Sequence, residues 1–249
     1  MSAAIDLSGH IQSVPPVHTP DAGLPAGMHQ IISTNIFILF QVSPVWWLFL
    51  KGVLIDIGGV CVSYPYSVMA DVFQRRFGTD REKALRILRE EAVAFDLGSI
   101  TVREFCSNVS KRLELSVRTD EFTSLLDSSI MPDQEVLSLL DRIRNSNGWT
   151  VVALSNMPEY TWNMLKRSYG FDTLFDDAVL SYEVGTAKPE RRMFEIAVEV
   201  AGLPASECVF IDDAPENVRA AQRFGLISHL FRTVRGLADF LAENGAKVY

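Results

Sequence analysis

The sequence predicts an α/β fold: a parallel sheet covered by helices on both faces, with a small helical unit inserted after the first strand. Two observations lead there. From residue 51 onward, short runs rich in Val, Ile, Leu and Phe alternate with longer amphipathic patterns, and the runs lack polar alternation, as strands buried on both faces do. The first and second runs also stand roughly a hundred residues apart, far beyond the dozen or so that a parallel crossover needs.

The elements follow in order. The expected strands are Val53–Ile57, Val151–Ser155, Ala178–Ser181, Cys208–Asp212 and Ile227–Phe231. The spacing predicts helices over Glu159–Tyr169, Glu190–Ala201, Glu216–Phe224 and Leu237–Glu243, so the last part of the chain reads βαβαβαβα. Between the first two strands, helical patterns occur at about Ser67–Phe77, Arg81–Phe95, Thr101–Leu113, Glu121–Ser129 and Gln134–Asn145. The last of these is expected to be the crossover helix into Val151. The others form the insertion, so the expected division is a core of residues 51–65 and 131–249 with an inserted unit of residues 66–130.

Residues 1–50 differ in kind. They contain no Lys or Arg, and their only charges are Asp6 and Asp21. The stretch to Gly27 is rich in Pro, Gly and Ser without apolar periodicity, which predicts disorder. Residues 31–50 then carry no charge and approach the ~20 residues needed to cross a bilayer. Ser33, Thr34, Asn35, Gln41, Ser43 and Pro44 interrupt that stretch. Membrane contact through it is therefore less favoured than a poorly ordered extension, or one packed on the domain or on a partner. Neither the basic start of a secretory signal nor the arginines of a mitochondrial presequence are present.

Composition excludes several classes. With 249 residues, 48% of them hydrophobic and 22% charged, the chain can bury a full core and is neither collagen-like nor wholly disordered. Its 23 Lys plus Arg against 31 Asp plus Glu give a net charge of −8, which repels a phosphodiester backbone and argues against nucleic acid as a partner. Cys61, Cys106 and Cys208 form no CxxC pair, so a disulfide scaffold is not expected and a cytoplasmic, reducing setting fits.

Four positions carry chemistry, each where an apolar run ends. In Val53-Leu-Ile-Asp56-Ile-Gly58-Gly59, a carboxylate precedes two glycines that allow a tight turn and close approach of a ligand; plain turn chemistry is the alternative. Ser155-Asn156 closes the second run, either as helix cap or, with helix-start amides, as an anion holder. Lys188 precedes Pro189, the expected first residue of a helix. A Lys there opposes the positive helix N-terminus and so calls for a nearby anion. Asp212-Asp213 places two adjacent carboxylates at the end of a buried strand, a costly repulsion unless Lys or a hard divalent cation compensates; an Asp cap before Pro215 is the alternative. Singly, each bland reading stands. Their joint occurrence at strand ends predicts one site along one sheet edge.

These residues resemble the four motifs of the haloacid dehalogenase superfamily of hydrolases, from about Gly52 to Asn244. The resemblance implies a Rossmann-like core with Asp56 as nucleophile, Ser155 as the second-motif hydroxyl, Lys188 as the third motif and Asp212-Asp213 as the acidic fourth. The phrase Phe95-Asp-Leu-Gly98-Ser-Ile-Thr-Val-Arg-Glu-Phe105 is similar to the small helical cap of the subgroup that includes the amino-terminal phosphatase of soluble epoxide hydrolase. The implied activity is a phosphatase acting on a small phosphorylated metabolite through an aspartyl-phosphate. Mg²⁺ would be held by Asp56, the Gly58 carbonyl and Asp213, with Asp212 ligating directly or through water. Ser155, the Asn156 amide and Lys188 would bind the phosphoryl group. One departure is plain: phosphatases of the superfamily usually carry a second Asp, the general acid and base, two residues after the nucleophile, where this chain has Gly58. That departure keeps two other expectations in view, a weakly active or non-catalytic binding protein, and a metal-free 2-haloacid dehalogenase, which needs no second Asp.

Overall fold

The computed structural model describes residues 50–63, 65–146 and 148–248. The expectations for residues 1–50 therefore lie outside the described residues, apart from Leu50, which is buried. Among the described residues no helix is long and apolar enough to cross a membrane.

Strand β1 is Gly52–Ile55, buried along its whole length. Four helices follow: α1 Pro65–Phe77, α2 Arg81–Asp96, α3 Val102–Arg112 and α4 Thr119–Ser128. Polar residues start two of them. The Asp80 side chain accepts from the Lys83 amide, and Thr101 with Glu104 forms a reciprocal capping box, each satisfying an otherwise orphaned backbone group. Helix α5, Gln134–Asn145, leads to β2, Thr150–Ser155. Then come α6 Glu159–Tyr169, β3 Asp177–Leu180, the short α7 Ser181–Val184 and α8 Arg191–Ala201. The chain closes with β4 Cys208–Asp212, α9 Pro215–Phe224, β5 Ile227–Leu230 and α10 Val234–Glu243.

The five strands form one parallel sheet in the order β3-β2-β1-β4-β5. Alternate side chains divide the core. Val53, Ile55, Val151, Ala153, Val209 and Ile211 pack with the apolar faces of α5, α6 and α10, while Leu54, Val152, Leu154 and Phe210 pack with α8 and α9. The order reverses direction at β1, and ligands of open α/β sheets bind at the strand carboxyl ends beside such a switch. Ile55 pairs with Ile211, so the next residues, Asp56 and Asp212, leave the sheet side by side.

The insertion adds an aromatic cluster to the core on the α5, α6 and α10 side of the sheet. Phe95 stacks on Phe105 with ring centroids 4.5 Å apart, Phe105 meets Phe122 edge-on at 5.8 Å, and Phe73 lies 5.6 Å from Phe122. The two connections to the sheet run side by side: Ser63 N–H donates to the Met131 carbonyl and Ser63 Oγ to the Ser129 carbonyl.

Three expectations change. Pro189 does not begin a helix: the Lys188–Pro189 peptide is cis and α8 starts at Arg191, after Glu190. Ser155 and Asn156 cap nothing, since α6 is preceded by Pro158. Nor is an Asp the cap of α9, which follows Ala214; instead Asp212 Oδ1 accepts from the Ala214 amide.

Candidate active site

The ends of β1, β2 and β4 and the loop after α7 that carries Lys188 converge on one cleft of about 220 Å³. Asp56 leaves the tip of β1, and its Oδ1 accepts three hydrogen bonds: from the Ile57 amide at 2.8 Å, Ser155 Oγ at 2.8 Å and Lys188 Nζ at 2.9 Å. Burial pushes its carboxyl up to about 6, against the pull of Lys188 and with the push of Asp212.

Lys188 lies buried between two acids, its Nζ 2.7 Å from Asp212 Oδ2 and 2.9 Å from Asp56 Oδ1. Burial alone would lower its pKa; the charges of Asp212 and Asp56 outweigh that and hold it above the ordinary lysine value. The ammonium has three protons, so two serve these carboxylates and one remains. Asn156 fixes the lysine's backbone from both sides, its Nδ2 donating to the Lys188 carbonyl at 2.9 Å and its Oδ1 accepting from the Lys188 amide at 2.8 Å.

Three groups donate to Asp212. Besides Lys188 it accepts from the Ala214 amide and from Asn217 Nδ2, which lies 3.1 Å from both of its oxygens. Asp213 faces the turn after β1. Burial raises its carboxyl above the usual range, helped by Asp212 and opposed by Lys188. One oxygen from each of Asp56, Asp212 and Asp213 lies within 4.8 Å of the others, a hard-oxygen set suited to a divalent cation. The turn is built for this approach: Gly59 has φ +80°, and a Cβ there would fall inside the Asp213 carboxyl. At Gly58 a Cβ would meet nothing within 4 Å.

The cleft thus brings together Asp56, Gly58, Asn156, Lys188 and Asp213, with Ser155 and Asp212 bonded directly behind them. Sequence reasoning missed Asn217, which reads as an ordinary first-turn residue of a helix. It also missed Asp96, which lines the opposite wall from the insertion together with Tyr66.

A parallel sheet whose central strand ends in a buried carboxylate, paired to a lysine and flanked by two further acids, puts these groups at the switch point where open α/β sheets bind ligands. The chain belongs to the haloacid dehalogenase-like hydrolase family, which it matches over residues 50–225. It is 26% identical over 183 residues to a sesquiterpene phosphatase of Aspergillus oryzae, covering 71% of this chain and 87% of the relative. A glyceraldehyde 3-phosphate phosphatase of Methanopyrus kandleri is 24% identical over 202 residues, covering 72% and 82%. Among solved structures, a haloacid dehalogenase family enzyme from Bacteroides thetaiotaomicron, in complex with magnesium and inorganic phosphate, superposes with a TM-score of 0.60 at 26% identity, covering 74% of this chain and 94% of that one.

Proposed function

We propose that the chain is a Mg²⁺-dependent phosphatase for small phosphorylated metabolites, with Asp56 as nucleophile. The unequal treatment of the two Asp56 oxygens carries this reading. Ile57, Ser155 and Lys188 all bond Oδ1, and none of these donors engages Oδ2. A carboxylate held through one oxygen presents the other in a fixed direction, which lowers the entropic cost of attack. The two curated relatives are phosphatases, and the Bacteroides enzyme holds phosphate together with magnesium.

In the first step Asp56 Oδ2 bonds to phosphorus as the ester P–O bond breaks; water then cleaves the aspartyl-phosphate and returns Asp56. Lys188 offers its third proton to a phosphoryl oxygen, and the Asn156 amide is the second donor. Ser155, whose single proton goes to Asp56, positions the nucleophile more than it binds phosphate. The hard-oxygen set and the room left by Gly59 fit Mg²⁺, which Asp56, Asp213 and the Gly58 carbonyl would hold, with Asp212 reaching it through water. When bound, the ion neutralises charge on the transferring phosphoryl group.

On this reading residues 51–65 and 131–249 are the catalytic core, and residues 66–130 are a cap of the subgroup that carries it between the first two motifs. The cleft, about 220 Å³, is smaller than the ~300–1,000 Å³ of drug-sized pockets, in keeping with a small substrate. The test is phosphate release from 4-nitrophenyl phosphate, with Mg²⁺ and with excess chelator. Release should need the metal, and Asp56→Asn should lower it by at least ~10³-fold. Undiminished release by that variant removes the nucleophile. Halide release from a 2-haloacid in chelator, without phosphate release, replaces the reading with the dehalogenase one.

A further inference from the structure

We propose that Asp96, reaching the cleft from the inserted helices, is the proton donor to the leaving oxygen, in place of the side chain that Gly58 lacks. This rests on the phosphatase reading. The turn after β1 supplies no acid, since position 58 has no side chain and nothing lies within 4 Å of where its Cβ would be. In-line displacement puts the leaving oxygen on the side of phosphorus away from Asp56. The sheet edge provides Asp56, Asn156, Lys188 and Asp213, and the insertion provides Tyr66 and Asp96 to the same cleft. A donor is needed on that second wall, and Asp96 is its carboxyl group.

Asp96 is held as a reacting group must be. It is the last residue of α2, next to Phe95, whose ring stacks on Phe105. Its backbone carbonyl accepts from Ser181 Oγ. Tyr66 Oη makes a long 3.5 Å contact as donor to Oδ1, which leaves Oδ2 to carry the proton. The residue is half-buried and lines the cleft, and burial pushes its carboxyl well above the usual carboxylate range. The Tyr66 bond pulls the other way, and the Asp56 charge adds to the rise. A position at a helix C-terminus also disfavours the anion. Asp96 thus holds its proton more tightly than an ordinary carboxyl, in the same cleft as the nucleophile.

The step balances. As Asp56 Oδ2 bonds to phosphorus and the P–O ester bond breaks, the Asp96 proton passes to the leaving oxygen, which departs as an alcohol. Water then attacks the aspartyl-phosphate, its proton returns to Asp96, and inorganic phosphate and Asp56 are released. The titratable groups around Asp96 are Tyr66 on α1, Asp56 after β1, and Lys188 and Asp213 across the cleft. Tyr182 and Glu183 on α7, which packs against α2, bond to each other.

The test compares kcat/KM for propyl phosphate, whose alkoxide needs a proton, with that for 4-nitrophenyl phosphate, whose phenolate does not. Asp96→Asn should lower the propyl-to-nitrophenyl ratio by ~10²–10⁴-fold. It should lower kcat for the nitrophenyl ester through the slower second step. Gly58→Asp in the Asp96→Asn background should restore much of the ratio, because position 58 has open space. In the unaltered enzyme the ratio, once each ester's own second phosphate ionisation is allowed for, should fall as pH rises through the Asp96 transition; this reading survives even if the variant fails to fold. An unchanged ratio in the variant, or a ratio independent of pH, overturns the assignment. So does an unaltered enzyme that hydrolyses the aryl ester and not the alkyl one, for it has no donor. Release from neither ester defeats the phosphatase reading instead.

Discussion

Two neighbouring glycines in the turn after β1 do opposite things. Gly59 is required by geometry: its φ of +80° costs an L-residue ~1–2 kcal/mol, and any Cβ would collide with Asp213. Gly58 is under neither constraint. Gly59→Ala should therefore weaken Mg²⁺ by ~10–100-fold, the usual effect of disturbing a group that orients a ligand, whereas Gly58→Ala should leave stability nearly unchanged. Calorimetric titration and thermal melts of both variants distinguish the two, and equal effects would mean that the turn, and not the Asp213 contact, sets the site. The same scale explains what could be read beforehand. Asp56, Ser155, Lys188 and Asp212-Asp213 each end an apolar run or precede a proline, so the pattern around them marks them out. Asp96 and Asn217 sit inside amphipathic helices, where a polar residue reads as an end or a surface position. Only packing turns them toward the centre.

Among the elements, the insertion depends on one ring more than on any other. Phe105 contacts Phe95, Phe122 and Tyr66 at once, and it is fully buried. Phe105→Ala should destabilise by ~3–5 kcal/mol, since the cavity it leaves can collapse only in part. Because Phe95 and Tyr66 flank Asp96, phosphate release from alkyl esters should fall further than the loss of folded protein explains. A melt paired with activity per folded molecule checks this; activity that follows the folded fraction alone separates the aromatic cluster from the site. Element boundaries show the same division between pattern and context. Helices α5 and α6 fall on their expected residues, and each buried strand is found, because contiguous apolar runs are what a sheet covered on both faces demands. Helix α8 starts one residue later than expected, at Arg191. Helix α10 starts earlier, at Val234, because Thr233 Oγ1 accepts from the Gly236 amide and so begins a helix ahead of its apolar stripe.

At the scale of the whole molecule the site is a reservoir of unfavourable charge. Burial raises the carboxyl of Asp56 to about 6 and that of Asp213 above its ordinary value. A carboxyl raised in the folded state binds its proton more tightly there than when unfolded. Its contribution to stability is therefore full at low pH and lost as pH rises through the folded value. In chelator, lowering pH from 7.5 to 5.5 should thus favour folding through these two acids. Half-buried His229, whose pKa burial lowers, acts in the opposite sense, because folding favours its neutral form. Mg²⁺ needs the carboxylates ionised, so its own stabilisation must shrink over the same interval. The difference in melting temperature between Mg²⁺ and chelator cancels His229 and isolates the metal site. That difference should be positive at pH 7.5, with each kcal/mol of binding worth ~2–4 °C in a chain of this size, and should fall toward zero by pH 5.5. A difference that is the same at both pH values would mean that the ion binds groups other than these raised carboxylates. The metal assignment at the end of β1 and β4 would then fail, whatever the activity.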